Sequence, residues 1–563
     1  MEISFPEVWD ALAAAVPERE AVVFRDRRLT FAQFVERSRR LANVLLARGL
    51  RVRRERAELA GHESGQDHVA LYLYNGNEYL EGMLGAFAAR AAPVNVNYRY
   101  VEEELLYLLT NARARALVYH AEFAPRVAAL RSRLPALELL IQVRDDSGEP
   151  LLPGALDYEE ALAAASPAPP GVTPSPDDLY ILYTGGTTGM PKGVLWRSAD
   201  IYMAAMGGRR QDGRELASRE EIAEYAVASE GRNRAVLGPP LMHGAAQWAS
   251  FITLGMGGTV IIPNETRRFD PHDFLSAIER ERALTCTIVG DAFARPLLDQ
   301  LARASYDLSS LFVVGSGGAP LSTAHKREFL ERIPHVTVMD SIGSSETGAQ
   351  ASNPSNRATP VSTGDFRPLA GAGVVSADLA RVLAPGDDEL GWFAQRGRVP
   401  LGYLDDAEKT ARTFPVIEGV RWSVPGDRAR YRPDGTIEVL GRDSVTINSG
   451  GEKIFAEEVE HALKQHPAVY DCVVAGRPSE RWGQEVVAIV ALREGAQASE
   501  VELGAEAAKH VARYKLPKAY VFRERIERSP SGKADYRWAR AQAEQAPAAP
   551  AAGGGQASRP ARG

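Results

Sequence analysis

Residues 183–194 read YTGGTTGMPKGV, with four glycines, three threonines and one lysine. Glycines at 185, 186, 189 and 193 let the backbone reach positive φ and approach a ligand closely. Successive N–H groups in such a turn form an anion nest. The hydroxyls of Thr184, Thr187 and Thr188 can donate to phosphate oxygens, and Lys192 adds a mobile positive charge. This is the chemistry of a triphosphate site. The spacing fails the G-x-x-x-x-G-K-[ST] rule, because Lys192 follows Met190-Pro191 and precedes Gly193, and the proline would spoil the start of a Walker-type helix. Glycine clusters also serve plain turns, so both readings stand at this point.

The elements around this run must position it. It follows DDLYILYT, where Leu179, Ile181 and Tyr183 read as the end of a buried strand. Strand-like runs (HVALYLYN, APVNVNY, RALVYH, GTVIIP, LTCTIVG) alternate with Ala/Leu-rich helical runs (EYLEGMLGAFAAR, HDFLSAIERER). That alternation predicts an α/β protein with largely parallel sheets and helices. The rhythm is expected to change near Leu440, where a turn, a short strand, a Gly-Gly loop and an amphipathic helix open a smaller α+β unit. The expected division is 1–440, 441–540 and a disordered Ala/Pro/Gly-rich tail, 541–563. Arg51 to Gln66 is a charged insertion, read as a solvated loop.

Composition excludes several classes. The 66 Lys+Arg nearly balance 73 Asp+Glu, so no overall field attracts nucleic acid. Cys286 and Cys472, far apart in apolar stretches, read as buried strand residues rather than a disulfide or zinc site. The N-terminus mixes acids with apolar residues, unlike a signal peptide, which predicts a cytoplasmic protein. Between Arg234 and Glu265 there is no Asp, Glu, Lys or Arg, but GPP, GMGG and His243 interrupt the run. A buried turn, helix and strand is expected there, and no transmembrane segment.

The opening motif resembles the [YF]-T-[SG]-G-[ST]-T-G-x-P-K-G phosphate loop of the adenylate-forming superfamily of acyl-CoA synthetases, adenylation domains and luciferases. PPLMHGAA (239–246), GSGGAPLS (315–322), IGSSETG (342–348), RWSVPGDRARYRPDG (421–435), GRDSVTINSGGEKIFAEEVE (441–460) and SPSGKADY (529–536) resemble further motifs of that family. The wording is most similar to a bacterial branch of fatty-acid and steroid-side-chain CoA ligases.

The resemblance implies ATP, Mg²⁺ and coenzyme A, a large N-terminal domain and a small mobile C-terminal one. It implies catalytic roles for Lys533, Glu346 and Thr184, with Glu346 and Thr184 holding Mg²⁺. Nucleotide contacts would come from Thr184, Gly185, Gly186, Thr187, Thr188, Gly189 and Lys192. Gly317, Gly318, Ala319, Pro320, Ile342, Gly343, Ser344 and Ser345 would frame adenine. Asp427 would bind the ribose, and Arg442 would support the ribose or phosphates. Ser449, Gly450 and Gly451 would line the thiol channel. Two positions depart from the family pattern: Ile342 stands where an aromatic commonly stacks on adenine, and Ser444 where the hinge usually carries Asp or Lys.

For the acid, His243, Gln247 and Trp248, with Phe251, would line a mostly apolar pocket. HGAAQWASF contains no acid to hold an α-ammonium, which argues against an amino acid substrate. The resemblance thus implies ATP-dependent conversion of a medium, long or polycyclic-tailed carboxylic acid to an acyl-adenylate, then to acyl-CoA. Loading onto a separate carrier protein and a non-catalytic nucleotide binder are the alternatives, and a homodimer is left open.

Overall fold

The computed structural model describes residues 2–184, 190–210, 212–359, 361–362, 364–449, 452–479, 482–529 and 532–546. The expectations on Gly185, Gly186, Thr187, Thr188, Gly189, Gly450 and Gly451, and on the side chain of Ser444, lie outside them. Two compact units are present, Met1–Val439 with Pro530–Lys533, and Leu440–Ser529 with the chain from Ala534 on. The division falls one residue before the expected one, and residues 530–533 group with the large unit.

In the large unit, strands His68–Tyr72, Ala92–Asn95, Ala114–His120, Leu139–Val143 and Leu179–Thr184 pair in parallel. The chain then turns back antiparallel through Lys192–Arg197 and Gly402–Tyr403. HVALY and LLIQV are buried along their whole length, as strands covered by helices on both faces must be. A second sheet runs parallel through Thr259–Ile262, Arg234–Leu237, Thr285–Ile288, Val313–Gly317 and Thr337–Ser344. The charge-free stretch is indeed a strand, the helix Gly244–Gly255 and a strand; among the described residues no helix is long and apolar enough to cross a membrane.

The rhythm changes earlier than the sequence reading placed it. From Gly348 onward the strands of this sheet pair antiparallel. Parallel pairing needs a crossover of about a dozen residues or more. Between Gly348 and Ile437 the described residues form one helix, Ala407–Thr413, only 7 residues long, so no helix of crossover length is there to carry the chain back for parallel pairing.

The small unit packs Ala456–Leu463, Glu500–Ala507 and Tyr536–Glu544 on a five-stranded sheet, an α+β arrangement. The expected start of the tail at 541 is corrected here. The last helix runs to Glu544 because Ala539 and Ala543, one turn apart, bury against the sheet residues Val473 and Val487. The thiols of Cys286 and Cys472 are free and buried, and burial pushes both up, so neither is a reactive group.

Two buried histidines set an expected pH response. The Tyr74 amide donates to His120 Nδ1 at 3.1 Å, which requires the neutral ring. His68 bonds the Ala112 carbonyl through Nδ1 and Ser64 Oγ through Nε2. Burial lowers each to about 4. Because the folded pKa lies below the unfolded value of about 6.5, the stabilisation is complete above that pH and is lost as pH falls toward 4. Each is worth at most about 3 kcal/mol. Thermal melting from pH 8 to 4 should show the melting temperature falling below about pH 6.5, more shallowly in His120→Asn. A flat profile to pH 4.5 contradicts this account.

Candidate active site

The strand Leu179–Thr184 and the strand Lys192–Arg197 pair in register, with Thr184 opposite Lys192. The two described ends of the glycine-rich run are thus held across from each other. Buried Asn95 fastens one end: its amide donates to the Tyr183 and Met242 carbonyls at 2.8 and 2.7 Å and accepts from the Tyr183 N–H at 2.7 Å. Buried Asn75 does the same for the next segment, accepting from the Leu241 N–H at 2.6 Å and donating to the Pro239 carbonyl at 3.2 Å. Losing either amide would leave buried backbone groups unpaired, at about 1–3 kcal/mol apiece. His243, which begins the helix Gly244–Gly255, is therefore fixed relative to Thr184.

His243 Nε2 is shielded from solvent and has no hydrogen-bond partner among the described residues. Burial, with the cations Lys533 and Arg99 nearby, lowers His243 to about 3, so it is neutral at ordinary pH. A Cβ on Gly244 would touch Leu182 at 2.9 Å and the Trp248 ring at 3.3 Å, so this glycine lets the helix start against the strand and sets Trp248 beside it. Gln247 is hydrogen-bonded into the core. It is 2% exposed, accepts from Tyr180 Oη at 2.6 Å and donates to the Leu241 carbonyl at 2.7 Å. A polar side chain buried this deeply must spend its hydrogen bonds on the core. Phe251 also belongs to the core, against Phe5 and Trp9.

Gly317, at the end of the strand Val313–Gly317, and Ala319 are half-buried; Gly318 and Pro320 are exposed. Gly318 has φ +84°, a left-handed conformation that favours glycine. The loop is anchored from beneath: the Asp291 N–H donates to the Pro320 carbonyl at 3.1 Å and the Ser322 N–H to Asp291 Oδ1 at 2.8 Å. His325 Nδ1 lies 2.8 Å from the same Asp291 oxygen. Within this large unit Lys533 approaches the loop, since a Cβ on Gly318 would be 3.7 Å from Lys533 Cε.

The strand Thr337–Ser344 carries Ile342, Gly343 and Ser344, with a bulge between Ile342 and Gly343. Bulges re-aim side chains beside functional sites. Gly343 permits this one, because a Cβ there would collide with the Gly348 carbonyl. Ile342 is half-buried against Ala351, Phe366 and Ala429. Thr347 Oγ1 closes the following turn, accepting from the Ser344 N–H at 3.0 Å. Three distant residues then clamp it. Trp196 Nε1 donates to the Ser345 carbonyl at 2.8 Å, Ser423 Oγ to the Glu346 carbonyl at 2.6 Å, and Tyr403 Oη to Glu346 Oε1 at 2.7 Å.

Glu346 is half-buried and presents one hard oxygen donor group. Among the described residues no cluster of three or more His, Cys, Asp or Glu side chains is arranged to hold a metal. A single carboxylate with a threonine hydroxyl fits Mg²⁺, which is commonly held by one or two carboxylates plus phosphates and water. Lys192 Nζ is 2.6 Å from Asp406 Oδ2. Asp427 is half-buried at the start of the strand Asp427–Tyr431. In the small unit, Arg442 ends the strand Ile437–Arg442 and accepts from Thr446 Oγ1 through its carbonyl at 3.2 Å. Ser449 ends the strand Ile447–Ser449 opposite Glu452 and Gly483.

Tyr403, Asp406, Trp196, Ser423 and Asn95 escaped the sequence reading. Tyr403 is 57 positions from Glu346 and Asp406 is 214 from Lys192, and nothing in GYLDD announces either pairing.

The Lys192 end of the glycine-rich run is thus linked, through Asp406 and the turn that carries Tyr403, to the braced Glu346. The family model for AMP-binding enzymes matches residues 9–391, and that for the AMP-binding enzyme C-terminal domain matches residues 458–533. The chain belongs to the AMP-binding enzyme family. It is 57% identical to the medium-chain acyl-CoA ligase Mig of Mycobacterium avium, over 96% of this chain and 98% of the relative. It is 40% identical to the 3-oxocholest-4-en-26-oate–CoA ligase of Rhodococcus rhodochrous, over 97% of each. The crystal structure of ATP-bound MatB from Rhodopseudomonas palustris superposes with a TM-score of 0.77 at 25% identity, covering 95% of this chain and 98% of that one.

Proposed function

We propose that the chain is an AMP-forming acyl-CoA synthetase for medium or long, or polycyclic-tailed, carboxylic acids. The observation that carries this reading is the linkage of Lys192, Asp406, Tyr403 and Glu346 beside the Thr184 end of the glycine-rich run. The site suits an α-phosphorus attacked by a carboxylate oxygen with pyrophosphate leaving. The coenzyme A thiol, its proton lost to solvent, then attacks the acyl carbon and AMP leaves.

The first step brings two anions together, so positive charge and positioning matter there more than covalent help. Thr184 and Lys192 would take the β- and γ-phosphate side. Glu346 would orient Mg²⁺, which supplies charge neutralisation on the phosphates when bound. Gly317 to Pro320 and Ile342 to Ser345 would hold the base, and Asp427 and Arg442 the ribose. Lys533 would bridge carboxylate and α-phosphate. Ser449 would border the thiol path. Neutral His243 and the ring of Trp248 would border the acid, whose apolar tail suits a helix without charges. The relatives named for medium-chain, medium/long-chain and steroid acids support this substrate range. A cytoplasmic location belongs to the same proposal, and a homodimer is a proposal that sedimentation would test.

The acceptor is tested by supplying the acid, ATP and either coenzyme A or a phosphopantetheinylated carrier protein. The expected result is thioester on coenzyme A alone. Thioester on the carrier only would replace this reading with that of a carrier-loading ligase.

A further inference from the structure

The turn Tyr403–Asp406 reaches two groups that the ATP reading uses separately. At one end Tyr403 Oη donates to Glu346 Oε1 at 2.7 Å. At the other, Asp406 Oδ2 pairs with Lys192 Nζ at 2.6 Å. We propose that Tyr403 and Asp406 are positioning residues for the Mg²⁺–triphosphate part of the site: Tyr403 holds the Glu346 carboxylate in its metal-facing orientation, and Asp406 sets how strongly Lys192 attracts phosphate. This rests on the reading of Glu346 as metal ligand and Lys192 as phosphate group.

The turn is built to hold both side chains still. Asp406 Oδ1 accepts from the Lys409 N–H at 2.9 Å, capping the helix Ala407–Thr413. Thr410 Oγ1 donates to the Asp406 carbonyl at 2.7 Å and accepts from the Tyr403 N–H at 2.9 Å. The Leu404 N–H donates to the Gly193 carbonyl at 2.8 Å, fastening the turn to the residue after Lys192. Lys409 Nζ lies 4.1 Å above the Tyr403 ring. The charged insertion contributes as well. The His62 carbonyl accepts from the Asp405 N–H at 2.8 Å, and a Cβ on Gly61 would lie 2.8 Å from the Leu401 carbonyl oxygen. The insertion is therefore a brace for this turn and not a purely solvated loop.

The two prongs act with different signs. A hydroxyl that donates to a metal-binding carboxylate orients it, and losing such a partner typically weakens metal binding about 10–100-fold. A carboxylate beside the phosphate-side lysine opposes anion binding, so neutralising it should tighten ATP. Tyr403→Phe removes only the hydroxyl. Asp406→Asn removes the charge and keeps a good helix cap.

The test is calorimetric ATP binding without acid, so without turnover, in EDTA and in saturating Mg²⁺. Tyr403→Phe should bind ATP as wild type in EDTA and lose about tenfold of the gain Mg²⁺ brings. Asp406→Asn should bind roughly threefold to tenfold tighter in both conditions, one charge acting through partly exposed space. Glu346→Gln checks the underlying reading and should lose most of the Mg²⁺ gain, more than Tyr403→Phe does. If it does and Tyr403→Phe behaves as wild type, or weakens both conditions equally, the proposal falls and the reading stands. Asp406→Asn binding no tighter than wild type has the same consequence. If Glu346→Gln keeps the Mg²⁺ gain, the reading fails and the proposal with it.

Discussion

Replacing Lys533 by alanine is expected to abolish acyl-adenylate formation, by at least about a hundredfold, while thioester formation from supplied acyl-adenylate stays near wild type. The reason is electrostatic. Adenylation forces a carboxylate against a polyanion, and a mobile ammonium between the two reacting groups offsets their repulsion where it is largest. Thiolysis starts from a neutral acyl carbon and expels AMP, so it has no such demand. Lys533 groups with the large unit, close to Gly318 and near enough to His243 to lower its pKa. Acid-dependent pyrophosphate exchange checks the first half-reaction, and coenzyme A added to synthetic acyl-adenylate checks the second. Equal loss of both would remove Lys533 from the proposed role.

Glu346→Gln should lower pyrophosphate exchange by roughly a hundredfold at ordinary Mg²⁺ and recover partly as Mg²⁺ is raised. Gln keeps the size and still accepts a hydrogen bond from Tyr403, so the braced turn of Ser344, Thr347, Trp196 and Ser423 should keep its shape. What it removes is the hard anionic oxygen that Mg²⁺ prefers. A Mg²⁺ titration of the exchange rate shows the effect directly. Wild-type rate and Mg²⁺ dependence in this variant would mean that another group holds the metal.

Much of the fold was legible because parallel strands buried on both faces carry mostly apolar runs, as in HVALY and LLIQV, separated by helical runs of crossover length. The antiparallel region after Gly348 was not, because its short strands owe their identity to turns and to partners far away in sequence. The end of the last helix was hidden by small residues: Ala539 and Ala543 bury well, although their composition resembles the tail that follows. In the site, residues embedded in contiguous motifs could be named. The bond from Tyr180 to Gln247 was not legible, because a glutamine on an apolar helix looks alike in sequence whatever it faces. Tyr403 and Asp406 were missed because their roles exist only once the strand Gly402–Tyr403 pairs with Lys192–Arg197.

The central claim is that the chain activates an apolar-tailed carboxylic acid with ATP. The direct measurement is acid-dependent exchange of labelled pyrophosphate into ATP across short, medium, long, aryl and steroid carboxylates. The account predicts exchange with medium, long or steroid acids, little with short acids, and none in Lys533→Ala. Pyrophosphate exchange with none of the acids, from folded protein that still binds ATP, would contradict it.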